Sequence, residues 1–195
     1  MIATAVAADS LYIGDQGNST VQQFDATSGD FIKTLVSSGS GGLDGPFGLV
    51  FENSGDLLVA NGNLGLPIPG DILRFNGNTG AFEKALANGT GAPLQPNGIV
   101  LSEHMIYAAN FTGDPTVPGN VSTYNEQTGT FLENLNQNVI PSINYFPRAL
   151  VYGSEGYLYV AVRDLLNPLG GHVLRFNSNG NFKDVSLTIL AVLVN

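Results

Sequence analysis

The chain has 195 residues and carries 16 acidic against 7 basic side chains, which gives a net charge of −9. This charge opposes binding to nucleic acid, because proteins gain most of that affinity by neutralising phosphates. The absence of cysteine excludes disulfide bonds, thiolate metal sites and a cysteine nucleophile. The longest apolar run, residues 189–194, is much shorter than the roughly 20 residues that cross a bilayer, so no membrane span is expected.

A first sequence pattern occurs four times along the chain. Each copy is a strand-like stretch that ends in an aromatic residue and is followed by a turn rich in Asp, Asn and Gly. The copies are residues 21–31, 72–82, 121–131 and 173–182, and their aromatic residues are Phe24, Phe75, Tyr124 and Phe176. Repeats at a fixed spacing of 20–50 residues are typical of solenoids and propellers.

A second pattern repeats in phase with the first. It begins Pro-x-Gly/Ala, continues through two alternating apolar strands, and occupies residues 46–61, 96–110 and 147–162, with a degraded copy at 4–15. The two patterns together give four short strands per repeat, and no segment shows helical periodicity. The sequence therefore predicts an all-β fold, a β-propeller of about four blades with four antiparallel strands each. One domain, 1–195, is expected, with blades near 2–36, 46–87, 96–136 and 147–188.

Four blades are few for a propeller, since most rings have more. Residues 2–8 make at best a weak inner strand for the first blade, and residues 186–194 are expected to form an extra apolar strand or a poorly placed end. We therefore predict an open arc or partial propeller, unless a longer parent protein completes the ring. The bare faces at the two ends of such an arc favour self-association.

Residues 12–31, YIGDQGNSTVQQFDATSGDF, resemble an NHL repeat. Residues 96–110, PNGIVLSEHMIYAAN, are similar to the Pro-Asn-Gly-Ile strand of the gluconolactonase and senescence-marker-protein propellers. The resemblance implies a propeller of the broader superfamily that also contains streptogramin-lyase-like proteins. Because this superfamily includes binding proteins, lactonases and lyases, it implies no single activity.

Candidate binding residues lie where strands are expected to meet at one mouth of the central channel. First strands begin there, second strands end there, and third strands begin there, beside the long loops that often carry function. The candidates are Asp15, Asn61, Asn97, Asn110, Arg148, Arg163, Asp71, Asn120 and His172. The alternative interpretation is that these side chains only satisfy backbone groups where strands end.

A divalent-metal site is a separate possibility at the same mouth. The lactonase resemblance implies oxygen ligands from a Glu, an Asn and an Asp, and Asn97 matches the Asn. Arg148 stands where the Asp is expected, and a cation there repels a metal. A calcium or other divalent ion at Asn97 is therefore the alternative to a metal-free mouth, and no other cofactor is expected.

The sequence favours a non-enzymatic NHL-like module that binds a protein, a glycan or a small polar ligand at the loop-rich mouth. The alternative is a divergent lactonase-like, hydrolase-like or lyase-like enzyme that uses Asn97. Neither nucleic acid nor a membrane is an expected partner. Few lysines, many Asn and Gly, and no Cys favour an extracellular or periplasmic location for the parent protein, although residues 1–8 lack the basic start of a signal peptide.

Overall fold

The computed structural model describes residues 9–64, 68–112, 117–135, 145–164 and 170–190. Within these ranges the chain forms fifteen β-strands and one short 3₁₀ turn, Ser40–Gly42, and no α-helix. The strands form four antiparallel sheets. The predicted all-β fold is confirmed.

Each sheet is an up-and-down meander of strands that follow one another in sequence, and we call the sheets blades 1 to 4. Blade 1 contains β1 (Ser10–Asp15), β2 (Thr20–Asp25) and β3 (Phe31–Val36). Blade 2 contains β4 (Pro46–Phe51), β5 (Leu57–Asn61), β6 (Asp71–Phe75) and β7 (Phe82–Leu86). Blade 3 contains β8 (Pro96–Ser102), β9 (Met105–Asn110), β10 (Asn120–Asn125) and β11 (Phe131–Asn134). Blade 4 contains β12 (Tyr145–Tyr152), β13 (Leu158–Asp164), β14 (Gly170–Phe176) and β15 (Phe182–Leu190).

Local side-chain chemistry closes the hairpin between the last two strands of each blade. In blade 2, Oδ1 of Asn76 accepts hydrogen bonds from the backbone N–H groups of Asn78 and Thr79, at 3.2 and 3.0 Å. Gly80 then adopts a φ of +71°, a left-handed conformation that glycine reaches without steric cost. The same arrangement begins at Asp25 in blade 1, so these turns follow directly from the sequence repeat.

Three hydrophobic cores hold the blades together, one between each consecutive pair. One face of a blade, which we call its leading face, packs on the preceding blade, and its trailing face packs on the next. In blade 2, Leu57 and Val59 belong to the leading face, whereas Leu58 and Ala60 belong to the trailing face. Among the described residues no core joins blade 4 to blade 1. The blades therefore form the open, partial propeller that the sequence predicts.

The two ends of the arc differ in how much of them the structure describes. The inner strand predicted from residues 2–8 lies outside the described residues, and so do residues 191–194. The described part of the tail continues β15, because Leu190 is the pairing partner of Gly170 on β14. The division of the chain into one domain with the stated blade limits stays a prediction.

Candidate functional site

Strand register brings the predicted candidates of blades 2 and 3 to one edge of their sheets. Asn61 lies opposite Pro46 on one neighbouring strand and opposite Asp71 on the other. In blade 3, Asn110 lies opposite Asn120 in the same way. We call this edge, where the first strands begin, the channel-mouth edge, and the opposite one the hairpin edge.

Blade 4 has the same register but an apolar residue at the position of the asparagine. The register pairs Val162 with His172, so Val162 takes the position that Asn61 holds in blade 2. Arg163, a candidate because the second strand was expected to end there, is one residue further along and is exposed. Nδ1 of His172 lies 3.1 Å from Oγ1 of Thr188, on the neighbouring outer strand.

Asn61 is fully buried and holds the channel-mouth edge of blade 2 together. Its Oδ1 accepts a hydrogen bond from the backbone N–H of Asp44 at 2.7 Å. Its Nδ2 donates to Oδ1 of Asp71 and to Oδ1 of Asn63, both at 2.9 Å. Burial raises the pKa of Asp71, although the bonds from the two amides oppose that effect. These contacts are those of a structural network.

Asn110 is the centre of a similar network in blade 3. It is 1% exposed, and its Nδ2 donates to Oδ1 of Asn120 at 2.7 Å and to Oγ of Ser122 at 2.8 Å. The Ser122 hydroxyl donates in turn to Oδ1 of Asn134, at 2.7 Å. Oδ1 of Asn110 is buried without a hydrogen-bond partner.

Asp15 contributes only local contacts. It accepts hydrogen bonds from the backbone N–H and the side-chain amide of Asn18, at 3.1 and 2.7 Å. These bonds lower the pKa of Asp15, because they stabilise its charged form. The side chain therefore organises the turn between β1 and β2.

Arg148 and Asn97 form a different kind of arrangement near the start of the inner strands. The guanidinium carbon of Arg148 lies 5.1 Å from the ring centroid of Phe111, within the range of a cation–π contact. Nη1 of Arg148 lies 3.5 Å from Oδ1 of Asn97, and Nδ2 of Asn97 donates to the carbonyl of Gln95 at 3.2 Å. Arg148 is exposed, and none of the ion pairs among the described residues includes it.

The hairpin edge has features that the sequence analysis missed. A cleft of about 310 Å³ lies there between blades 2 and 3, lined in part by Glu52, Arg74, His104 and Glu126. Nη2 of Arg74 donates to Oε1 of Glu52 at 2.5 Å and to the carbonyl of Glu126 at 3.0 Å. Burial raises the pKa of Glu52 in spite of Arg74. The available signal was an arginine among the apolar residues 72–75 of strand β6, since a buried charge there needs a partner.

A second cleft, of about 410 Å³, lies at the hairpin edge between blades 3 and 4, and its lining includes Glu103, Tyr152, Glu155 and Tyr157. Within the described ranges no three His, Asp or Glu side chains come together as metal ligands would. No helix of the described residues is long and apolar enough to cross a membrane.

No family model and no curated protein matches the sequence. Solved structures do resemble it. A gluconolactonase-like protein is similar with a TM-score of 0.63 at 16% identity, and the WD40 propeller domain of Doa1 with 0.60 at 13%. The extracellular domain of the one-component system BT4673 from B. thetaiotaomicron gives 0.62 at 14%. The fold is that of a β-propeller.

The match covers 89%, 90% and 95% of this chain for the gluconolactonase-like protein, Doa1 and BT4673. The propeller chain in turn spans 58%, 49% and 23% of those three structures. The propeller resemblance inferred from the repeats is therefore confirmed. The NHL-type character of those repeats stays a prediction, because likeness at such low identity concerns the fold alone.

Proposed function

We propose that this chain is a binding module of the propeller class that takes the anionic group of a small molecule, a glycan or a protein at the channel-mouth edge. Arg148 is the anchor. The observation that carries the proposal is that Arg148 is an exposed cation without a carboxylate partner among the described residues, although the chain carries 16 acidic side chains.

The surroundings of Arg148 are suited to such a ligand. Stacking on Phe111 fixes the plane of the guanidinium and leaves its edge for a carboxylate, which arginine can bind through two parallel hydrogen bonds. Asn97 lies beside it and offers a side chain that can rotate to donate as well as accept. Asn61 and Asn110 differ from this pair, because they are buried in hydrogen bonds within their own blades.

A metal-dependent lactonase-like or lyase-like activity is the second candidate, and it rests on Asn97. The geometry supports it less, because Oδ1 of Asn97 faces the guanidinium of Arg148 at 3.5 Å. A divalent ion bound to that oxygen would be repelled by the arginine. Asn97 in this arrangement is better suited to orienting Arg148.

The proposal is tested by isothermal titration of the protein with glucuronate and citrate, and with glucose as the uncharged comparison. We expect the two anions to bind and glucose to bind much more weakly. Arg148→Gln should weaken anion binding by about 10- to 100-fold, because a hydrogen bond to a charged group contributes about 1.5–3 kcal/mol.

Lys183→Gln is the matched control, since it removes one exposed positive charge on the outer strand of blade 4. It should leave anion binding unchanged. Equal loss in both variants would mean that only the total charge matters. Equal binding of glucose and glucuronate, or no binding of either anion, would contradict an anion site at Arg148.

A further inference from the structure

The leading face of blade 1 is built like the others but is uncovered by the described residues. Leu11 and Ile13 are 51% and 43% exposed. Their equivalents in blade 2 are Leu57 and Val59, because Leu57 pairs with Phe75 as Leu11 pairs with Phe24. Those two residues are fully buried against the preceding blade. Blade 1 therefore exposes a surface of the kind that receives another blade.

The trailing face of blade 4 is exposed in the complementary way. Leu187, which pairs with Val173, is 51% exposed, whereas its equivalent Leu86, which pairs with Ile72, is fully buried. Val151 on the inner strand of blade 4 is 58% exposed. This face corresponds to the surface by which blades 2 and 3 receive the blade that follows.

Basic side chains connect a trailing face to the next blade. Lys33 of blade 1 donates to the carbonyl of Asn78 in blade 2 at 2.7 Å, and Arg74 of blade 2 donates to the carbonyl of Glu126 in blade 3 at 3.0 Å. Arg175 holds the position of Arg74 in blade 4, since each pairs with the equivalent residue of its outer strand. Nε and Nη2 of Arg175 donate hydrogen bonds to the two carboxylate oxygens of Asp184, at 2.9 and 2.5 Å.

The glycines of the hairpin turns lie at the same kind of interface, on the side of the following blade. A Cβ added to Gly80 would lie 1.7 Å from the carbonyl oxygen of Leu35, and one added to Gly129 would lie 2.5 Å from the amide nitrogen of Ala87. The turns of blades 2 and 3 therefore lie directly on the outer strand of the preceding blade. The equivalent Gly29 of blade 1 has nothing within 4 Å.

We infer that a second copy of this chain binds head to tail, with the leading face of blade 1 of each copy on the trailing face of blade 4 of the other. Both halves of one repeating interface are present and exposed on the same chain, so a second copy continues the packing that already joins blades 1 to 4. A heterologous contact of this kind closes into a ring when the rotation permits. Two copies give eight blades, which lies within the range that closed propellers have.

The inference is independent of ligand binding at Arg148, and the first test is the mass in solution. Light scattering should give twice the 20.4 kDa of one chain. Leu11→Asp and Leu187→Asp change opposite ends of the arc. Each should raise the dissociation constant at least about tenfold, the order that burial of one leucine contributes.

Mixing the two variants distinguishes a head-to-tail contact from a symmetric one. A mixture retains one unaltered interface, between the leading face of the Leu187→Asp chain and the trailing face of the Leu11→Asp chain. It should therefore form a dimer although neither variant does so alone, and recovery also shows that both chains are folded. A symmetric contact through one face would be disrupted by only one of the variants.

Gly29→Ala provides a second test that leaves the apolar surfaces unchanged. It should weaken the dimer, because the added methyl group would meet the outer strand of the partner's blade 4. Gly39→Ala is the matched control: both glycines have φ near +75° and open space around the Cβ position in the single chain. A monomeric wild-type protein, an open-ended polymer, or equal dimerisation of the Gly29 and Gly39 variants would overturn the inference.

Discussion

Arg74 and Glu52 form an ion pair of 2.5 Å within blade 2, with the Glu52 side chain only 6% exposed. The same guanidinium group donates to the carbonyl of Glu126, so the pair also links blade 2 to blade 3. Oε2 of Glu52 and Nε of Arg74 are buried without partners. The pair is therefore sensitive to any change that leaves one charge alone.

The first prediction concerns loss of one partner of this pair. Arg74→Met should lower the free energy of unfolding by about 3 kcal/mol, because it leaves a buried carboxylate uncompensated. Urea denaturation followed by circular dichroism measures the change. Lys84→Met, on the neighbouring exposed position, removes only an exposed hydrogen bond to the carbonyl of Gln127 and should cost no more than about 1 kcal/mol. Similar losses in the two variants would contradict the role assigned to the pair.

Protonation of Glu52 should make the free energy of unfolding depend on pH. Burial raises its pKa in the folded chain above the ordinary value of 4.5, so the folded state keeps the proton to a higher pH than the unfolded state does. This contribution to stability is complete below pH 4.5 and is lost as the pH rises through the folded pKa. Relative to Glu52→Gln, the wild type should therefore lose stability as the pH rises through this window. Parallel curves for the two proteins across the window would be the contrary result.

Gly80 should tolerate no side chain, for two separable reasons. Its φ of +71° disfavours other residues, and a Cβ would lie 1.7 Å from the carbonyl oxygen of Leu35 in blade 1. Gly39 shares the positive φ but has open space around it. Gly39→Ala should cost about 1–2 kcal/mol, and Gly80→Ala should cost about 1–3 kcal/mol more because of the overlap. Thermal unfolding of both variants measures the difference, and equal costs would contradict the close approach of the blades.

The hydroxyl group of Tyr124 should stabilise the folded chain through one buried hydrogen bond. It replaces the Phe that the other blades have at this position, and its hydroxyl donates to the carbonyl of Gly91 at 3.0 Å. Tyr124→Phe should lower the free energy of unfolding by about 1 kcal/mol while leaving the ring packing intact. Burial raises the pKa of Tyr124 to about 12. Absorbance titration should therefore show a smaller phenolate signal near pH 12 in the variant than in the wild type.

Asn61 should behave as a structural residue. Asn61→Ala leaves the carboxylate of Asp71 and the backbone N–H of Asp44 without their amide partner, and each such group costs about 1–3 kcal/mol when it is buried. Asn18→Ala, which removes one exposed side-chain hydrogen bond to Asp15, should cost no more than about 1 kcal/mol. Anion binding at Arg148 should survive in whatever fraction of Asn61→Ala remains folded, whereas loss of binding in the folded fraction would place Asn61 in the site.

The sequence predicted at which edge of the sheets the candidate residues lie, but not what their side chains contact. The repeat predicts that second strands end where third strands begin, and Asn61 does lie opposite Asp71 at that edge. An asparagine at this edge can form hydrogen bonds within the protein or face a ligand. Which of the two it does depends on the groups that the connecting loop places beside it. Arg163 shows the same limit, because Val162 and not Arg163 takes the position of Asn61 in the register of blade 4.

The sequence by itself determined the blade, because a repeat of alternating strands and Asx-Gly turns specifies each four-stranded meander through local interactions. It also predicted the openness of the arc, because most closed propellers have more than four blades. Only the tertiary structure decided the contacts between blades. The ion pair of Arg74 with Glu52, the clefts of the hairpin edge and the stacking of Arg148 on Phe111 depend on residues far apart in the chain, whose approach is set by how one blade packs on the next.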